Sequence, residues 1–409
     1  MKSKKKFHLD KIYFFTLWYY PSHFALHVDD FARAFQSSGI EVAIVTVEQA
    51  LYEENYFEPV RHMFLGQYFE AFPVIRIPAQ RLITRTNFAP ILIPGDIADF
   101  CRQLELEAQS KRIAFFHVFE TMVDTFNRVT FPASAVSSMY YAGNFLTRLF
   151  GSYSIGFNPK LTNLVLDANL AHLYTDEHRI TGVDFILSET ESLVRMLQGS
   201  HIKTPAYAIH RPFDVHGVLK STRLNIRELL GVEDNALILL YAGRPTKNAE
   251  VLVEILRGVG QCMEKPVYLV LVGTQNYDIS QWRYYEELSK RIFVFDYIER
   301  PRLYCFYKSC DLLVYPGLID GHPKVISESQ AAGLPVVAFD SAASGVREII
   351  QHDISGILIP KYNISLFIDE VCNLLSNPHR QQRIIAGAQK FTKRWFIDRN
   401  FSDDYRVLA

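Results

Sequence analysis

Short apolar runs alternate with longer amphipathic stretches along most of the chain. The run Ile12 to Leu17 is followed by a loop at Trp18 to Phe24, a helical pattern at His27 to Gln36, a glycine stop at Gly39 and a second run at Val42 to Val47. Strand, helix and strand in that order predict a βαβ unit, and such a unit requires parallel strands. Val74 to Ile77, Ile113 to Val118 and Asp184 to Ser188 read as further buried strands, so the N-terminal half is expected to be doubly wound. The segment from Ser134 to Leu166 is rich in aromatics, glycine and leucine without a clean period and receives no assignment.

After His210 to Phe213 the apolar patterning lapses over Asp214 to Arg223, which places a domain boundary there and a hinge near Phe213 to Leu219. The alternation then resumes. Strands are expected at Leu237 to Ala242, Tyr268 to Val272, Ile292 to Phe295, Leu312 to Tyr315 and Pro335 to Phe339, and helices at Ala249 to Val259, Trp282 to Ser289, Leu303 to Ser309 and Val325 to Ala332. Two doubly wound halves imply an α/β protein with a cleft between the carboxyl ends of its strands, where open parallel sheets bind ligands.

Composition narrows the function. The 409 residues are 49% hydrophobic and 21% charged, as in a folded protein large enough for two domains. Lysine and arginine number 43 against 44 acids, so no global positive field exists to hold nucleic acid. Five cysteines, scattered and odd in number, suit reduced thiols in the cytoplasm better than a disulfide framework, and no zinc spacing occurs among them. No run approaches the roughly 18 apolar residues of a membrane span. Lys2, Lys4, Lys5 and Lys6 read as a solvated head, with peripheral contact to an anionic membrane face as the alternative. The chain has no Gly-x-Gly-x-x-Gly, no P-loop, no His-Glu-x-x-His and no Gly-x-Ser-x-Gly, which weighs against dinucleotide, P-loop, zinc-helix and serine-triad chemistry.

Two loops carry the candidate chemistry. After the strand at Leu237 to Ala242 come Gly243-Arg244-Pro245-Thr246-Lys247-Asn248 and a helix. A glycine admits close backbone approach, and two cations beside a helix start make an anion site. On residue type alone Arg244 and Lys247 could be solvated loop charges; their place at a strand's carboxyl end favours the site. After Leu312 to Tyr315, a loop from Gly317 leads through Asp320, Gly321, His322 and Pro323 into a second helix, with Pro323 suited to its first position. His117, ending a strand Ile113 to Phe116, is a further candidate, with a structural role or a register favouring Phe119 as alternatives. Glu120 nearby is a solvated acid or an acceptor contact.

The stretch Asp320-Gly321-His322-Pro323-Lys324-Val325-Ile326-Ser327-Glu328, continuing to Gly333 and Pro335, resembles the acid-x7-Glu signature of the retaining glycosyltransferases of family 4. Gly243, Arg244 and Lys247 resemble that family's diphosphate element, Gly345 to Glu348 its next loop and Gly356 to Pro360 the strand after it. Tyr20-Pro21, His27-Val28 and Gly39 to Val42 resemble its first βαβ unit, although Ser22-His23-Phe24-Ala25 replaces the usual Gly-Gly. The resemblance implies the GT-B fold: an acceptor domain at 1–212, a nucleotide-sugar domain at 213–385, and a C-terminal helix at 386–409 packing back on the first.

It further implies transfer of a sugar from a nucleoside diphosphate to an acceptor hydroxyl with retention at the anomeric carbon, in glycan, glycolipid or cell-envelope polysaccharide synthesis. No metal and no cofactor are required. Arg244 and Lys247 would neutralise the diphosphate and Asp320 would meet sugar hydroxyls, with His117 in the same catalytic set. Glu328 would hold the ribose, and Gly243, Gly321, His322, Pro323, Lys324, Val325 and Ile298 would line the donor. For His322 the backbone amide is preferred over the imidazole as the contact. Asp320, where the family more often has glutamate, and the altered first loop leave open a silenced nucleotide-sugar-binding protein. The Arg244–Lys247 pair does not exclude a sugar-nucleotide epimerase or a phosphorylase, over which the acid-x7-Glu match favours the transferase.

Overall fold

The computed structural model describes residues 10–15, 23–47, 72–77, 79–81, 90–92, 103, 106–107, 109–111, 113–119, 162–167, 185–188, 190–199, 206–208, 212–245, 247–274, 277–318, 320–341 and 344–397. Tyr20, Pro21, Glu120, most of 134–166, His210, Arg211 and 401–408 lie outside them. The chain divides into two compact units, Met1–Pro212 with Asn400–Ala409, and Phe213–Arg399.

In the first unit, β1 (Lys11–Phe15) leads through α1 (His23–Ser37) to β2 (Glu41–Val47), followed by β3 (Val74–Ile77), the antiparallel pair β4 (Ala79–Arg81) and β5 (Pro90–Leu92), β6 (Ile113–Phe119), β7 (Thr162–Asp167), β8 (Phe185–Ser188), α2 (Glu191–Gln198) and β9 (Ala206–Ala208). The main sheet is parallel, in the order β3-β2-β1-β6-β7-β8-β9. Helix α1 buries Val28, Phe31, Ala32 and Phe35, which supply the sheet with an apolar cover. Strand β7 falls in the segment left unassigned from sequence.

At the amino ends of β1, β2 and β6 the unit closes on itself electrostatically. Lys11 opens β1 opposite Glu41, its register partner on β2, and its Nζ lies 2.8 Å from Glu41 and 2.9 Å from Glu107. Lys111 reaches the same two acids, and the Tyr13 hydroxyl donates to Glu107. Burial opposes ionisation of Glu107, but the hydrogen bonds from Tyr13, Lys11 and Lys111 outweigh it and hold the carboxyl down to about 2. Burial also pushes the Tyr13 phenol up to about 12.

The second unit begins with α3 (Val215–Lys220) and α4 (Ile226–Leu230). The lapse read at Asp214 to Arg223 is therefore a helix with only Val215 and Val218 buried, too short for a visible period; Asp214 caps it by accepting from the Gly217 amide at 2.9 Å. There follow β10 (Leu237–Ala242), α5 (Val251–Cys262), β11 (Val267–Val272), α6 (Tyr285–Leu288), β12 (Ile292–Phe295), α7 (Arg300–Ser309), β13 (Leu312–Tyr315), α8 (Lys324–Ala332), β14 (Val336–Asp340), α9 (Val346–Ile349), β15 (Ile357–Pro360), α10 (Ile364–Ser376) and α11 (Pro378–Thr392). Its sheet is parallel throughout in the order β12-β11-β10-β13-β14-β15, a Rossmann-like arrangement.

Continuous burial of Leu237 to Ala242 and Leu312 to Tyr315 reflects strands covered on both faces. Helix α5 packs against α10, and α8 against α3, α7 and α11. The helix expected to begin at 386 begins at Pro378, capped by Asn377, and its described residues group with the second unit through Phe396, which packs edge-on to Phe213 at 4.8 Å.

The reading of all cysteines as reduced thiols is corrected at one pair: Cys262 on α5 and Cys372 on α10 form a disulfide. One turn earlier, Gly258 lies so close to Ile368 that a Cβ would meet its side chain at 2.4 Å, and that close approach brings the two sulfurs together. No helix among the described residues is long and apolar enough to cross a membrane.

Two glycines separate intrinsic helix propensity from packing. Gly387 on α11 abuts the Ile354 carbonyl, and a Cβ there would sit 2.0 Å from that oxygen; at Gly260 on α5 it would meet only the tip of Arg291, at 3.2 Å. Gly387→Ala should therefore destabilise the protein by about 1–3 kcal/mol, while Gly260→Ala should be neutral or stabilising by up to about 1 kcal/mol, as measured by urea unfolding. The Glu107 cluster predicts a pH dependence. Because its folded pKa is depressed, its contribution is complete above the ordinary carboxylate range near 4.5 and is lost as pH falls toward about 2. Glu107→Gln should flatten the fall in melting temperature between pH 5 and pH 2, removing at most about 3 kcal/mol of pH-dependent stability.

Candidate active site

In the second unit the strand order reverses between β10 and β13, so the loops leaving their carboxyl ends open side by side. The first is Gly243 to Glu250. Gly243 donates its amide to the Val272 carbonyl at 2.9 Å, and Gly273, at φ +97°, lies against it; a Cβ on Gly273 would be 2.8 Å from the Gly243 carbonyl oxygen. The loop is thus seated on the end of β11. Arg244 is exposed and makes no ion pair among the described residues. Its carbonyl accepts from the Tyr241 hydroxyl at 2.8 Å.

The second loop runs from Pro316 to Pro323. Asn248, at φ +61°, donates its Nδ2 to the Pro316 carbonyl at 3.1 Å and so ties the two loops together. Asp320 makes a bridge to Ser344, and the Gly345 amide donates to its carbonyl at 2.9 Å, bringing in the loop after β14. The Asp320 side chain accepts at Oδ2 from both the Lys247 ammonium and the Tyr315 hydroxyl, the latter at 2.5 Å. Of the pair read as diphosphate cations, then, one is held by the candidate acid and the other faces solvent.

Pro323 is the cap of α8 rather than its first helical residue; Lys324 and Val325 follow it, half-buried. A proline here lacks an N–H, so the amides at the helix start come from the residues after it. Gly321 and His322 are buried, and the imidazole meets the Ser327 hydroxyl at 3.0 Å and the edge of Phe396. Glu328 is only 4% exposed on the fifth residue of α8. A buried carboxylate is costly unless bonded. The Tyr307 hydroxyl donates to it at 3.1 Å and the Arg300 guanidinium lies 3.5 Å from its other oxygen. Burial, then the Glu328 charge, pushes the Tyr307 phenol well above its ordinary range, so it stays a donor. Ile298 is buried just ahead of α7.

Gly243, Arg244, Lys247, Asp320, Gly321, His322, Pro323, Lys324 and Val325 therefore lie on the two adjoining loops and the start of α8. His117 lies on β6 in the first unit. The expected strand end at Phe116 is corrected: β6 continues to Phe119, so His117 is an interior strand residue and Phe119 its last. Sequence reasoning passed over Tyr241, Asn248, Arg300, Tyr307 and Tyr315. The repeat of Tyr-x-Gly at the ends of two strands was a visible signal for the first and last; the others had none. No group of three His, Cys, Asp or Glu side chains suited to a metal occurs among the described residues.

Residues 222–391 match the family Glycosyl transferases group 1. The chain is 29% identical over 227 residues to a D-inositol 3-phosphate glycosyltransferase of Xylanimonas cellulosilytica, covering 51% of this chain and 52% of that protein. It is 26% identical over 170 residues to an uncharacterized glycosyltransferase of Methanocaldococcus jannaschii, covering 41% and 43%. The matches thus span about half the length of these curated relatives. Among solved structures, sucrose-phosphate synthase from Thermosynechococcus elongatus aligns with a TM-score of 0.67 at 14% identity over 98% of this chain and 99% of that one. Anabaena HepE in complex with UDP and glucose aligns with a TM-score of 0.63 at 14% identity over 98% of each. The chain has the GT-B fold, and its match to glycosyl transferases group 1 lies within the second unit.

The left-handed turn at Asn248 is open to a two-variant test. Asn248→Gly loses the bond to Pro316 but keeps the left-handed backbone, whereas Asn248→Ala loses both. Alanine should be the more destabilising by about 1 kcal/mol in urea unfolding; equal values would mean that the left-handed turn carries no cost.

Proposed function

We propose that this protein is a retaining glycosyltransferase of family 4 that moves a sugar from a nucleoside diphosphate to an acceptor hydroxyl. The observation that carries the reading is the meeting of Arg244, Lys247, Asp320 and the start of α8 at the strand-order reversal of the second unit, within its match to glycosyl transferases group 1. The diphosphate would lie on Arg244, Lys247 and the α8 amides, which take up charge as it departs. Glu328, held by Tyr307 and Arg300, would receive the ribose, and Asp320 the sugar. The imidazole of His322 is turned to Ser327 and Phe396, which supports its backbone as the donor contact.

In this mechanism the acceptor hydroxyl attacks from the face that the diphosphate leaves, and its proton passes to the departing phosphate oxygen. No protein nucleophile and no metal are used. Residues 1–212 would supply the acceptor site, with His117 among its candidates. Uridine is the first base to try, because HepE, similar in fold, has been solved with UDP.

The test is thermal stability with UDP, GDP, ADP and dTDP in turn. A nucleotide at 100 times its Kd should stabilise the wild-type protein by about 2.7 kcal/mol. Arg244→Ala and Lys247→Ala should each weaken that nucleotide by about 10- to 100-fold, the loss of a charge-assisted bond. Undiminished affinity in both variants would remove the diphosphate from this site.

A further inference from the structure

The carboxyl ends of the paired strands β10 and β13 carry the same pattern, Tyr241-Ala242-Gly243 and Tyr315-Pro316-Gly317. Both tyrosines are buried, and their rings stack with centroids 6.5 Å apart. In each case the glycine two residues on folds back over the ring. A Cβ on Gly243 would lie 2.9 Å from the Tyr241 hydroxyl, and one on Gly317 2.7 Å from the Tyr315 ring. The hydroxyls then reach into the loops: Tyr241 bonds the Arg244 carbonyl at 2.8 Å, and Tyr315 bonds Asp320 Oδ2 at 2.5 Å. One stacked pair thus braces both loops from beneath.

Asp320 Oδ2 takes two donors from different directions, Lys247 on the first loop and Tyr315 at the strand end. The carboxylate cannot turn without breaking both bonds. Lys247 sits on a loop that an anion would contact, whereas Tyr315 is fixed in the sheet. When Lys247 moves to a ligand, the bond from Tyr315 remains on the acid. Burial, then the charge of Asp320, pushes the Tyr315 phenol well above its ordinary range, so the hydroxyl keeps its proton in that role.

Resting on the functional reading above, we propose that Tyr315, braced by Tyr241, is a positioning residue that holds Asp320 toward the donor's sugar while Lys247 is engaged by diphosphate. The role concerns the sugar and not the nucleotide. Removing the hydroxyl should leave diphosphate binding intact and disturb what the sugar adds.

The experiment uses the full chain with UDP and UDP-glucose as probes. Tyr315→Phe, which keeps the ring, should change UDP affinity by no more than about twofold and shift the ratio of UDP-glucose to UDP affinity by about tenfold, the size of one hydrogen bond to a charged group. An unchanged ratio, or equal loss of both ligands, would overturn the positioning role. A ligand-free cycle of Tyr315→Phe, Asp320→Ala and the double variant should show unfolding constants coupled by about 2- to 100-fold, since the two side chains share a bond. Additive effects would overturn the contact itself. Should the wild-type protein bind no nucleotide, the functional reading falls and the positioning role with it, while the cycle still reports whether Tyr315 holds Asp320.

Discussion

The pairing of β10 with β13 is the constraint on which the candidate site depends. In a parallel sheet each strand leaves at the same edge, and its connection crosses one face to reach the next strand. Only where the order reverses do two neighbouring connections depart toward opposite faces, leaving the ground between them uncovered. Here that ground is bounded by Gly243 to Asn248 on one side and Pro316 to Pro323 on the other. Asn248 and the Lys247–Asp320 pair then span it.

The two edges of the sheets show contrasting electrostatics. At the amino edge of the first unit, Lys11, Lys111, Glu41 and Glu107 satisfy one another, two cations against two acids. Such a cluster fixes the starts of β1, β2 and β6. At the carboxyl edge of the second unit, Lys247 is paired with Asp320 and Glu328 is engaged by Tyr307 and Arg300, while Arg244 makes no ion pair among the described residues. Arg244 is thus the exposed charge of that edge.

Much of this architecture was legible in the chain. Runs such as Leu237 to Ala242 and Leu312 to Tyr315 are apolar on both faces, which only a covered parallel strand needs, and the glycines and prolines after them mark where loops open. The site loops were legible for the same reason. What escaped was whatever depends on contacts distant in sequence: the α3 turn with two buried residues, β7 within an aromatic segment, and the Cys262–Cys372 bridge set by Gly258 against Ile368. The brace under Asp320 escaped too, because a tyrosine at the end of an apolar strand looks like core, and core it is until its hydroxyl is followed to the loop.

That double character explains how a site can be at once rigid and ready. Lys247 and Asp320 neutralise one another between the two loops, so that neither is an isolated partly buried charge. On the proposed reading an arriving diphosphate, with more negative charge than one carboxylate, draws Lys247 to itself and leaves Asp320 without its cation. The bond from Tyr315 is then a constraint on the acid that the ligand does not remove. The hydroxyl of Tyr315 comes from the sheet rather than from a loop, and Tyr241 stacked beside it does the same for the Arg244 backbone. The partner of the acid that a ligand can take thus sits on a loop, and the other is held at a strand end.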